Sequence, residues 1–163
     1  MITQTGLKAV LYYDPGAGRF VWLTDRRGQI KSGDAAGTPT HNGYVAIKIN
    51  GKVYGAHRLA FIYMTGTAPV GNVDHANGDR SDNRWSNLRS CTQSQNCANS
   101  RLSKANKSGF KGVFYETRRN KWVGRIRIRG RNYHLGQYET AEAAHAAYVD
   151  FASKHNGEFA RAR

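Results

Sequence analysis

A chain of 163 residues has room for one domain or two small ones, and its 25 Lys plus Arg against 11 Asp plus Glu leave a formal charge of +14. So large a cationic excess favours a polyanionic partner, nucleic acid above all, over a merely solubilising charged face. Cys91 and Cys97 are too few for a disulfide framework and lack structural-zinc spacing, and no apolar run approaches the ~20 residues of a membrane span.

In chain order, Met1-Ile-Thr-Gln-Thr lacks a basic-then-apolar leader, so a soluble, cytoplasmic protein is expected. Ala9–Tyr13 and Arg19–Leu23 are β-prone and flank Asp14-Pro-Gly-Ala-Gly18, which predicts a hairpin. Tyr44–Ile49 alternates, Asn50-Gly51 is a strong two-residue turn signal, and Lys52–Gly55 returns as a second hairpin. His57–Met64 reads as a short buried helix ended by Gly66, with Pro69 beyond it.

Asn99–Gly109 is polar and flexible in composition and reads as a basic linker. It separates a first part of charge +5 (residues 1–99) from a second of +9 (100–163). Past it, Phe110–Tyr115, Lys121–Arg129 and Tyr133–Tyr138 read as three strands, with turns at Thr117–Asn120 and Gly130–Asn132. Thr140 caps a helix whose Ala143, Ala144, Ala147, Tyr148 and Phe151 fall on one face, free to lie on the sheet.

The densest chemistry lies in Val73–Asn96. Asp74 and His75 are adjacent, so in an extended segment they point to opposite faces, and a bend is needed if both serve one site. Asn77-Gly78-Asp79 begins such a loop. Thr92-Gln93-Ser94-Gln95 has the capping-box pattern, placing Asn96 about one turn into a helix, where its side-chain carbonyl can meet Asp74 across a metal. Phosphodiester hydrolysis needs a base near neutrality, which a histidine supplies, and positive charge at the phosphoryl group, which a hard cation on oxygen ligands supplies. Asn77, Asp79 and Asp82 read as loop formers. His57 reads as a core or phosphate-contact histidine, Cys97 as a small helix-packing residue, and Arg58, Arg84 and Arg89 as phosphate contacts or solvated surface.

Asp74-His75, Asn77-Gly78, Asp82-Asn83-Arg84, Asn87-Leu88 and Asn96, with Asn42-Gly43-Tyr44 and Ala56-His57-Arg58-Leu59-Ala60 upstream, resemble the core of an HNH endonuclease. This is the β-β-α-metal family, of the phage and intron homing type. The resemblance covers roughly residues 42–100. It implies Asp74 and Asn96 as metal ligands, His75 as general base and Asn87 as the residue that ties the loop and orients the histidine. Many relatives have a histidine where Asn96 stands, and the amide shifts the expected metal from zinc toward Mg²⁺ or Mn²⁺.

The strand Lys121–Arg129 sets Trp122, Gly124, Ile126 and Ile128 against Lys121, Val123, Arg125, Arg127 and Arg129, one face for a helix and one cationic. A small sheet carrying arginines can enter a major groove. Ser108–Val113, Lys121-Trp122-Val123, Leu135-Gly136, Thr140–Ala144 and Ala147-Tyr148 resemble the plant ethylene-response-factor (Apetala-two) type DNA-binding domain. That resemblance implies that Arg118, Arg119, Arg125, Arg127 and Arg129 face DNA, and Lys121 is a further candidate DNA contact. His134 departs from it, standing where plant members have a tryptophan, so base preference does not carry over.

The expectation is therefore an α+β chain: an HNH nuclease domain with N-terminal hairpins (1–98), a basic linker (99–108) and a three-stranded antiparallel sheet packed on one helix (109–163). It would act as a Mg²⁺-dependent endonuclease on double-stranded DNA, leaving 5′-phosphate and 3′-hydroxyl ends in the cytoplasm of an infected bacterium. One site per chain implies that a monomer nicks one strand; a double-strand break needs a dimer or two events. The rival readings are a non-catalytic DNA-binding protein and a basic RNA-binding protein.

Overall fold

In the computed structural model, which describes residues 2–100, 102–103 and 105–160, a short helix precedes the first hairpin and was not anticipated from the sequence. This is α1 (Gln4–Lys8), which starts where the Thr3 hydroxyl accepts from the Gly6 amide at 3.1 Å, and which buries Leu7. Its five residues are too few for periodicity to stand out, so only the cap marked it. Arg101 and Lys104 of the expected linker lie outside the described residues.

The chain divides into two compact units, Met1–Ser90 and Cys91–Arg163. In the first, β1 (Leu11–Asp14) and β2 (Arg19–Trp22) form the expected antiparallel hairpin, joined at its edge by the two-residue strand β3 (Ala35–Ala36). A second sheet runs β4 (Thr38–Pro39), β5 (Val45–Ile49) and β6 (Lys52–Gly55). The β5–β6 turn holds Asn50 at φ 48° and Gly51 at φ 79°, the left-handed pair that a tight two-residue hairpin requires. Helix α2 (Ala56–Thr65) buries Leu59, Ala60 and Ile62 and ends at Gly66, whose amide donates to the Ile62 carbonyl at 3.0 Å. The core gathers Leu7, Leu11, Tyr13, Phe20, Ile47 and Leu59, with Val73 and Leu88 from the two-stranded sheet of β7 (Asn72–His75) and β8 (Leu88–Cys91).

That core fixes the back of the β7–β8 loop. The β1–β2 hairpin meets Asn83, Arg84 and Trp85: the Tyr13 hydroxyl donates to the Asn83 carbonyl at 2.7 Å, and the Trp85 amide donates to the Pro15 carbonyl at 2.9 Å. Gly18, at φ +69°, lies so close that a Cβ there would sit 2.3 Å from the Arg84 amide nitrogen. Both that backbone clash and the left-handed φ oppose any side chain. Gly18→Ala is expected to destabilise the protein by about 1–3 kcal/mol or more, read as a lowered midpoint in urea unfolding.

In the second unit, α3 (Gln93–Ala98) opens with the expected capping box: the Gln95 amide donates to Thr92 Oγ1 at 3.3 Å, and the Thr92 amide to Gln95 Oε1 at 2.9 Å. Cys97 is exposed, not packed, whereas Cys91 is buried; the two do not form a disulfide. Strands β9 (Val113–Glu116), β10 (Lys121–Ile128) and β11 (Arg131–Tyr138) pair antiparallel in the order β11-β10-β9. The β10–β11 turn falls earlier than expected, on Arg129 (φ 47°) and Gly130 (φ 83°), so Arg129 leaves the strand. Helix α4 (Ala141–Asn156) is capped by Thr140 but buries Ala141, Ala144, Tyr148 and Ala152, a stripe about one residue round from the expected one, with Ala143 exposed. Small alanines made the stripe ambiguous; the buried Tyr148 with Ile126 and Ile128 decides it.

Candidate active site

Strand β7 ends on the densest polar burial in the chain: Asp74 is 6% exposed and His75 3%. The extended backbone sends them to different partners, as the strand period requires. Asp74 Oδ2 accepts from Arg89 Nε at 2.9 Å and lies 2.8 Å from Arg89 Nη2, a two-pronged ion pair from β8. His75 Nε2 lies 3.3 Å from Asn83 Oδ1.

The Asn83 contact sets the chemistry of the imidazole. Asn83 is 2% exposed and its Nδ2 donates to the Ser81 carbonyl at 3.0 Å, so its other end, Oδ1, is an acceptor. His75 Nε2 must then carry the proton, and the basic lone pair is on Nδ1. Burial lowers the His75 pKa below its ordinary 6.5, outweighing the Asn83 hydrogen bond and the pull of Asp74, Asp82 and Asp79. The ring is thus neutral at neutral pH, the form a general base requires.

Asn87 closes the loop in front of the histidine. Its Oδ1 accepts from the Asn77 amide at 3.0 Å, its Nδ2 donates to the Asp82 carbonyl at 2.7 Å, and its carbonyl accepts from the Ala76 amide at 2.9 Å. Asn77, Asp79 and Asp82 are loop formers, as their residue types suggested. Asp79 Oδ1 takes the Ser81 amide and hydroxyl, and Arg84 grips Asp82 at 2.8 and 2.6 Å. Those Arg84 hydrogen bonds hold the Asp82 carboxyl down at about 2. Arg84 and Arg89, expected at phosphates, are therefore each engaged by a carboxylate. Asn83 and not Asn87 supplies the contact described above to the imidazole. In sequence Asn83 was one asparagine among several in a polar loop, and only Ser81, Tyr13 and His75 around it give it a distinct position.

A second histidine also belongs here. The His57 ring packs at 5.3 Å against the His75 ring at 64°, and Tyr44 lies 5.1 Å from His57 and 5.9 Å from His75. Arg80 in turn covers the Tyr44 ring at 4.9 Å. The His57 ring occupies the space where a Cβ on residue 55 would fall, 2.6 Å from its Cε1, which is why glycine stands there. Burial foremost, then the neighbouring His75 and Arg58, push the His57 pKa down to about 4, and its Nδ1 is buried without a hydrogen-bond partner.

Because folding keeps His57 neutral, its contribution to stability is full above the unfolded value of 6.5 and is lost as pH falls through about 4. The loss is on the order of 3 kcal/mol. Urea unfolding at pH 7 and pH 4 should show wild type losing that much more stability than His57→Phe.

Of the remaining expected site residues, Asn96 is half-buried on α3 in the second unit, its amide donating to the Thr92 carbonyl at 3.0 Å. Arg125 and Arg127 are exposed on β10, alternating with Ile126 and Ile128 under α4, and Arg125 lies over the Phe114 ring at 5.4 Å. Arg118 is exposed in the β9–β10 turn beside Arg119, which lies 3.7 Å from Glu116. Lys121 is paired with Glu139. Arg129 is exposed in the next turn, its amide donating to Ser94 Oγ at 3.2 Å. No three of His, Cys, Asp and Glu cluster for a metal among the described residues. Asp74 in the first unit and Asn96 in the second each carry oxygen donors, the kind of atom a hard cation takes.

A buried carboxylate and an imidazole held at Nε2 stand at the end of a strand, closed over by an asparagine-tied loop. Residues 54–98 match the family model of the HNH endonucleases. The chain is also similar to Protein 3.8 of Escherichia phage T7, 29% identical over 91 residues that cover 56% of this chain and 74% of that protein. The chain is similar as well to a solved structure of DNA binding and cleavage by the HNH homing endonuclease I-HmuI. That likeness has 22% identity and a TM-score of 0.46 over 96% of this chain and 91% of the other.

Proposed function

We propose that the protein is a Mg²⁺- or Mn²⁺-dependent DNA endonuclease of homing type that nicks one strand per active site. The observation that carries this reading is the buried Asp74–His75 pair, inside the HNH-matched segment, with the histidine held neutral and oriented. His75 Nδ1 takes the proton from the attacking water, while Asn83 holds the opposite nitrogen and Asn87 keeps the loop closed. Asp74 is the metal ligand of the first unit, its charge balanced by Arg89, and Asn96 is the second ligand on the strength of the sequence resemblance. When bound, the cation supplies the positive charge that stabilises the phosphoryl transition state and the departing oxygen. Cleavage leaves a 5′-phosphate and a 3′-hydroxyl.

The functional division follows the sequence: a nuclease domain over 1–98, a basic linker over 99–108 and a DNA-anchoring, Apetala-two-type domain over 109–163. In support, Arg125 and Arg127 extend from one face of the sheet while α4 covers the other. The partner is double-stranded DNA, bound by a monomer in the cytoplasm of a phage-infected cell. Incubating supercoiled plasmid with the protein and Mg²⁺, then probing the nick, tests this. A product that a ligase reseals directly carries the proposed ends, and one that needs prior end repair does not.

A further inference from the structure

We infer that the β1–β2 hairpin, which lies outside the HNH match, is part of the catalytic apparatus, with Tyr13 a positioning residue that sets the general base through Asn83. This rests on the reading of His75 as that base. The segment matched to the family begins at residue 54, so nothing in the match assigns a role to residues 11–22.

The physical path is short. Tyr13 is 1% exposed, stacks on Phe20 at 4.7 Å and meets the edge of Tyr63 at 5.7 Å, so its ring has little freedom. Its hydroxyl donates to the Asn83 carbonyl at 2.7 Å, and burial, then Asp14 and Asp82, raise its pKa to about 12, so the donor proton stays in place. The Trp85 amide on the Pro15 carbonyl and the close approach of Gly18 to the Arg84 backbone clamp the same three residues from the same hairpin. Asn83 is thereby held at its backbone, while its side chain is held at one end by the Ser81 carbonyl and presents the other to His75 Nε2. A loop otherwise built of turn chemistry is turned into a fixed mount for the imidazole. An error near 1 Å at a reacting group costs as much as 10²-fold in rate, so the hairpin acts on catalysis as well as on folding.

The test uses full-length Tyr13→Phe, which keeps the ring and removes only the donor, and Asn83→Ala, which removes the link itself. Long-range ¹⁵N–¹H spectra of the metal-free protein read the histidine rings without reference to activity. Wild-type His75 is expected as the Nε2–H tautomer. Tyr13→Phe should shift its ring signals while His145 and His155 of the second unit stay put, and Asn83→Ala should abolish the tautomer preference. In nicking kinetics, Tyr13→Phe should lower kcat about tenfold with KM unchanged, and adding it to Asn83→Ala should cost nothing further. An Nδ1–H tautomer in wild type, or His75 signals unmoved by Tyr13→Phe and Asn83→Ala, overturns the inference. A lowered melting temperature with unchanged kcat makes Tyr13 structural only and overturns it as well. If the spectra behave as expected but wild type cuts no DNA, the nuclease reading fails while the hairpin's control of His75 stands.

Discussion

Replacing His75 with alanine is expected to slow single-turnover cleavage of DNA about 10²–10⁴-fold while leaving DNA affinity unchanged. The affinity should hold because a buried, neutral ring contributes no charge to phosphate binding, whereas the +14 of the whole chain does. The rate should fall because water near neutral pH needs an acceptor for its proton, the role proposed above for His75 Nδ1. The pH dependence has a definite sign. Protonation destroys the base, so the wild-type rate should fall as pH drops through a His75 pKa below 6.5 and stay level from there up through neutrality. A gel-shift titration and a rapid-quench time course on one labelled duplex separate binding from cleavage.

The second large effect is on stability. Asp74 and Arg89 form an ion pair whose side chains are 7% and 16% exposed, so neither charge has much water to fall back on. Arg89→Met leaves the Asp74 carboxylate buried beside an apolar chain and is expected to cost about 3–5 kcal/mol in urea unfolding. Asp74→Asn combined with Arg89→Met should recover part of that loss, because the double replacement removes the buried negative charge together with its Arg89 partner. The cycle should therefore be strongly non-additive. If Arg89 served phosphates alone, its replacement would leave stability within about 0.5 kcal/mol and change only the salt dependence of binding.

Much of this architecture was legible in the residues, for identifiable reasons. Asn50-Gly51, Gly66, Thr92 with Gln95, and Thr140 each have one strongly preferred use, and each was found in it. The alternation of arginine and isoleucine in β10 exposed Arg125 and Arg127 as expected. Where side chains are small or ambivalent, the pattern blurred: the alanine stripe of α4 shifted, and the β10–β11 turn moved onto Arg129. The burial of Asp74 and His75 could not be read locally, since it depends on Val73 and Leu88 joining a core begun by Leu7 and Leu11. Nor could Asn83, His57, Tyr44 and Tyr13 be connected with His75. Their relation is made by three-dimensional closure across up to 70 residues of chain, the separation of Tyr13 from Asn83.

The proposed cutting of DNA at the Asp74–His75 site is tested most directly on supercoiled plasmid. Wild type and His75→Ala, purified in parallel and incubated with supercoiled plasmid and Mg²⁺, should differ plainly on an agarose gel. Wild type should convert the plasmid to open circles, and the variant should leave it supercoiled. Supercoiled plasmid left intact by wild type with Mg²⁺ and Mn²⁺, even when it carries the DNA flanking the protein's own gene, would contradict the account. So would equal nicking by both proteins.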